Sequence, residues 1–136
     1  MLNRVDIIGR LGKDPKIATT QAGEKVAALS VACSVTWKDK DGNKKEHTDW
    51  IPVVMFGPSA SFAERYAMKG DLVYVCGAFR TRKYTKKDGG DGYISEVVVQ
   101  KISGKFNILE SKNKSEEVKE NTEPQSYENL DDEIPF

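Results

Sequence analysis

The eleven residues AALSVACSVTW, from Ala27 to Trp37, alternate with a period of two. Odd positions carry Ala27, Leu29, Val31, Cys33, Val35 and Trp37, and even positions carry Ala28, Ser30, Ala32, Ser34 and Thr36. Only an extended strand sends successive side chains to opposite sides. The stretch therefore predicts one long strand with a bulky face for a core and a small, partly polar face turned outward. A small outer face also leaves room for something flat to lie on it.

Four more segments read as strands: NRVDIIG before this one, then TDWIPVVMF, DLVYVCGAF and GYISEVVVQKI. Between the third and fourth strands of the five lies SASFAERYAMKG. There Ser61 and Glu64 have capping-box spacing, Phe62, Tyr66 and Met68 offer a buried stripe, and Gly70 can close the helix. Two charged segments, KDKDGNKKEH and KKDGGDG, each hold an Asp-Gly pair suited to a tight hairpin. Five strands, one short helix between strands 3 and 4 and two basic hairpins predict an all-β, five-stranded OB-fold barrel, an architecture that binds oligonucleotides through its second and third strands and its loops.

At 136 residues the chain has room for one core and a tail. Residues 1–109 carry a net charge of +6 and residues 110–136 a net charge of −6, so the formal total of zero conceals a basic body and an acidic end. The segment after residue 109 has almost no aliphatic residues and cannot offset its ordering entropy, which predicts disorder. The expected organisation is a binding domain over residues 1–109, a disordered linker over 110–130 and an acidic tip over 131–136. A basic body suits a polyanion, and the tail would be repelled by that polyanion or compete with it.

The aromatic residues and cations sharpen this reading, since unpaired nucleic acid is held by stacking platforms in a basic groove. Trp50 and Phe56 share a parity opposite to Ile51, Val53 and Met55, so both rings fall on the non-core side unless Pro52 introduces a bulge. In FRTRKYTKK, Arg80, Arg82, Tyr84 and Lys86 alternate onto one side of an extended arm, and Lys83, between them in the sequence, is a further DNA-binding candidate. Cations can neutralise phosphates while Tyr84 stacks a base. Trp37 has the parity of the bulky face, which leaves both a core role and a binding role open.

Other chemistries find little support. His47 is the single histidine, no Ser or Cys sits in an activated setting, and Asp39, Asp41 and Asp49 lack the grouping of a metal nuclease. GRLGKD lacks the spacing of a phosphate-binding loop. DKDGNKK begins like a calcium loop, but Lys44 occupies the position that requires glycine. No enzyme activity, metal or cofactor is expected. Cys33 and Cys76 read as small core residues. The opening MLNRVDIIGR has no charged-then-apolar leader and no run of eighteen apolar residues occurs, so the expectation is a cytoplasmic protein with no membrane partner. An RNA-binding barrel and a pure protein-interaction module remain alternatives.

The segments GRLGKDP, TDWIPVVMFG, YAMKGDLVYVCG, RTRKYT and SEVVV, together with the terminal DDEIPF, resemble the bacterial single-stranded DNA-binding protein family. The resemblance spans nearly all of residues 1–109 and the last six. It implies a homotetramer of OB-folds that wraps single-stranded DNA with little sequence preference, with Trp37, Trp50, Phe56 and Tyr84 as stacking positions. It further implies a protein acting at the nucleoid or replication fork, whose tip, Asp131, Asp132, Glu133, Ile134, Pro135 and Phe136, docks replication, recombination and repair enzymes. Three residues depart from the family pattern: Tyr84 stands where many members have Trp, Ile51 where some have His, and Glu133 where Asp is typical.

Overall fold

The computed structural model describes residues 1–111. The long alternating strand, β3 (Lys25–Lys38), folds back on β4 (Lys44–Phe56) through a five-residue turn. In that turn the Asp39 carboxylate accepts the backbone N–H groups of Asp41 and Asn43, and Gly42 takes a φ of 81° that other residues disfavour. The register runs unbroken from Val26 opposite Phe56 to Lys38 opposite Lys44. Pro52 therefore introduces no bulge, and the parity expected for Trp50 and Phe56 survives.

The remaining elements are β1 (Val5–Leu11), β2 (Lys16–Thr19), α1 (Pro58–Tyr66), β5 (Leu72–Thr85), β6 (Asp91–Val99) and β7 (Lys105–Glu110). β1 pairs with both β3 and β5, β4 runs parallel to β6, and β6 pairs with β5. These five strands close a barrel with one short helix between its third and fourth strands, the expected all-β OB architecture. β2 adds to β3 and β7 adds to β5. Both short strands are additions to the five expected: β2 is four residues long, and β7 follows a turn at residues 100–104 that ends β6 before the last residues of GYISEVVVQKI.

Across β1, β3, β4, β5 and β6 the odd residues turn inward. Val31, Val53, Met55, Val73, Val75 and Val99 are completely buried. On β7 the inward residues are even: Phe106 lies opposite Val75 and Ile108 opposite Val73, so both face the same core.

The helix corrects three expectations. Gly57, with a φ of 63°, occupies the N-cap, no side chain caps the helix, and Pro58 starts its first turn. Glu64 reaches Lys25 at 2.6 Å and not the helix start, so no capping box forms. The buried stripe is Ala60 and Ala63, because a short helix laid against β3 needs small contacts to approach closely. Phe62 and Tyr66 stay partly exposed and pack on each other with ring centroids 5.0 Å apart. Ala67 is the C-cap, and Gly70, with a φ of 93°, serves the turn that follows. In that turn buried Asp71 accepts the Met68 N–H at 3.0 Å, while its backbone carbonyl accepts the Leu11 N–H. These bonds fasten the end of the helix segment to β1.

On the outer side of β1 and β5 the Tyr74 hydroxyl donates to Asp6 at 2.7 Å and the Arg4 guanidinium donates to it at 2.9 Å. The Tyr74 bond first and the Arg4 bond second hold the Asp6 carboxyl down at about 2, against an ordinary 3.8. A depressed carboxylate stabilises the fold above the unfolded value, and that contribution is lost as pH falls toward the folded one. Asp6→Asn is expected to lower the melting temperature at neutral pH. Thermal unfolding of both proteins from pH 7 downward should show the gap closing between about pH 4 and pH 2.

Candidate nucleic-acid interface

Because the core takes the odd residues, the even residues of the five barrel strands form one continuous outer face. Ala28, Ser30, Ala32, Ser34 and Thr36 of β3 make a low floor, as the alternation predicts. Trp50 stands beside it, opposite Ala32, which in turn lies opposite Arg10 of β1. The ring is 61% exposed and lies against the backbone of Gly12, where a Cβ would run into its six-membered edge. Glycine at position 12 thus sets how low the indole can lie. Phe56 faces the same way and is half-buried. Six residues of strand separate it from Trp50, about 20 Å of outer face.

β5 and β6 extend past the barrel as an arm. Arg80, Arg82 and Tyr84 occupy its outer face, as their alternation predicts, and Tyr84 crosses the backbone of its register partner Gly92. Arg80 makes no ion pair among the described residues. Arg82 differs: its Nε bonds the Glu96 carboxylate at 2.9 Å, and that carboxylate is only 8% exposed. Part of its guanidinium is committed to keeping a nearly buried charge paired. Lys83 falls on the opposite side of the arm, opposite Tyr93 and paired with Asp91 at 3.1 Å. Lys86 lies in the five-residue turn at the tip, where its N–H donates to Gly90.

Trp37 follows the bulky parity, opposite Lys45 and on the other side of the hairpin from Trp50. It is nonetheless 48% exposed, because β3 and β4 have left the barrel by this point and Val35 is exposed as well. Its bulky-face position is therefore not a core position. Phe79 and Tyr93, both more than half exposed, were not singled out in the sequence. The hairpin register that sets Tyr93 opposite Lys83 is the signal that would have drawn attention to it. The tip residues Asp131 to Phe136 lie outside the described residues.

Among the described residues no cluster of His, Cys, Asp and Glu suits a metal ion, and no helix is long and apolar enough to cross a membrane. An OB barrel with a small-residue floor, exposed rings and cations on one outer face defines the oligonucleotide-binding class of this architecture. The model of the single-strand binding protein family matches residues 2–104, and the chain belongs to that family. Proteins named single-stranded DNA-binding protein from Rickettsia felis and Rickettsia conorii are 37% and 39% identical to it, with 99% of this chain and 97% of each relative covered. A solved structure, the Plasmodium falciparum SSB complex with ssDNA, matches with a TM-score of 0.74 at 32% identity over 81% of this chain and 96% of that one.

The two arginines of the arm are expected to separate in experiment. Arg82→Ala leaves Glu96 nearly buried without its cation, a loss of about 1–3 kcal/mol, at the lower end because solvent reaches the site. Arg80→Ala removes no ion pair and should leave the melting temperature unchanged. Differential scanning calorimetry of the two variants checks this.

Proposed function

We propose that this protein binds single-stranded DNA with little sequence preference, laying the strand along the outer face from the β5–β6 arm to Trp50. The observation that carries the proposal is the exposed Trp50 ring, set on Gly12 beside a floor of Ala and Ser residues, on the same face as unpaired Arg80 and Tyr84. Bases stack on Trp50, Phe56 and Tyr84, while Arg80, Lys86 and the free end of the Arg82 guanidinium neutralise phosphates. Trp37 and Lys83 serve a strand that wraps round the arms to their other side. Every base has a flat face and every linkage a phosphate, so this chemistry tolerates any sequence. The names of the Rickettsia relatives and the ssDNA in the Plasmodium structure support the reading.

Titration with oligo(dT) tests it directly. Trp50→Ala is expected to cost about 1–3 kcal/mol of binding free energy, while Arg80→Ala should flatten the dependence on salt by releasing fewer counterions. Intact binding by the Trp50 variant, with a lowered melting temperature, would make that ring structural. Competition between DNA and RNA oligonucleotides of one sequence decides the sugar preference.

The same proposal assigns the organisation expected from the sequence, a DNA-binding domain over residues 1–109, a linker over 110–130 and a docking tip over 131–136, with the domain extended by one residue because Glu110 ends β7. Asp131, Asp132 and Glu133 steer the tip to a basic surface, Pro135 limits the conformations lost on docking, and Phe136 presents an aromatic ring. The partners are replication, recombination and repair enzymes, met in the cytoplasm at exposed single strands. Removing Ile134 to Phe136 is expected to leave oligo(dT) binding unchanged or slightly tighter and to abolish capture of those enzymes from nuclease-treated bacterial lysate.

Assembly belongs to the proposal too. The ladder from β3 to β1 covers only Arg10 and Leu11, which leaves the earlier part of that β1 edge open to a second copy. Such pairing makes a dimer, and the family resemblance extends it to a homotetramer.

A further inference from the structure

Beside Phe56 the outer face dips into a shallow, open cleft of about 500 Å³. Its floor is Val98, which is 8% exposed, and Phe56 forms one wall. Arg80 stands at the edge nearest the β5–β6 arm. The facing wall is the turn after β6, from Gln100 to Ser103. That turn is held in place: the Ser103 hydroxyl donates to Gln100 Oε1 at 2.8 Å, and Lys101 Nζ lies 2.6 Å from Glu24 Oε1. The Lys101 stem passes over Gly57, the residue after Phe56. The Gln100 amide nitrogen has no hydrogen-bond partner among the described residues. Ile102, at the apex, is fully exposed.

A single exposed isoleucine is ordinary. Here it is the lip of a cleft that also holds an aromatic ring, an unpaired guanidinium and a free amide donor. We propose that this cleft is a nucleobase subsite: one base of the bound strand leaves the stack and lies between Phe56 and Ile102. Its edge accepts a hydrogen bond from the Gln100 amide, and Arg80 holds the flanking phosphate, while Lys101, paired with Glu24, keeps the turn in place. The inference rests on the DNA-binding reading above and deepens it. Continuity favours a base over other occupants, because a strand passing from Tyr84 to Phe56 along the outer face crosses Arg80 at the mouth of the cleft.

The test uses the full chain, oligo(dT), and Trp50→Ala run in parallel. Ile102→Asn is neutral and sits in an exposed turn, so the melting temperature should hold. It is expected to weaken binding about three- to fivefold, the worth of a partly buried aliphatic contact, with the salt slope unchanged because no charge is removed. Unchanged binding by Ile102→Asn, while Trp50→Ala weakens it, overturns the subsite and leaves the DNA-binding face standing. Tighter binding, as would follow if an acidic segment of the chain filled the cleft, overturns it as well. Undiminished binding by Trp50→Ala defeats the reading beneath it.

Discussion

Everything on the outer face depends on the unbroken pairing of β3 with β4. Thirteen consecutive register pairs leave no slack, so the side on which Val53 and Met55 fall decides the side on which Trp50 and Phe56 fall. A slip of one residue would bury the indole and expose the core. The bulky odd positions of β3 make such a slip costly, since Val31 and Leu29 would lose their burial together. Core packing and the presentation of the rings are thus one constraint seen from two sides.

Close approach of backbone then sets how the rings lie. Trp50 leans over Gly12 and Tyr84 crosses Gly92, and in both places a Cβ would collide with the ring. The absence of a side chain, from the β1–β2 connection in one case and from the neighbouring strand in the other, gives each ring a shelf. A ring held on a shelf loses little freedom when a base stacks on it, which is the advantage of a preorganised surface.

Charge is arranged with similar economy. The arm carries cations of different standing: Arg82 balances Glu96, Lys83 balances Asp91, and Arg80 has no ion pair among the described residues. Only the last is wholly available to a polyanion. Sequence alternation separates Lys83 from the two arginines, but the distinction between Arg80 and Arg82 exists only once β6 lies alongside β5.

The period of each long strand, the placement of one helix, the Asp-Gly turns and the division of charge are properties of near neighbours along the chain and can be read from it directly. From them the OB barrel and the parity of Trp50, Phe56, Arg80, Arg82 and Tyr84 were legible. Sequence reading missed β2 and β7, because four to six residues carry too little alternation to separate from loop. It also assigned Phe62 and Tyr66 to a buried stripe, because helical spacing cannot say which flank meets the sheet. The tertiary structure alone decided that Ala60 and Ala63 take that contact, that Trp37 leaves the core where the hairpin outruns the barrel, and that Glu96 claims Arg82. Each of those outcomes depends on residues distant in the chain coming together, and distance in space is set by packing, not by spacing along the chain.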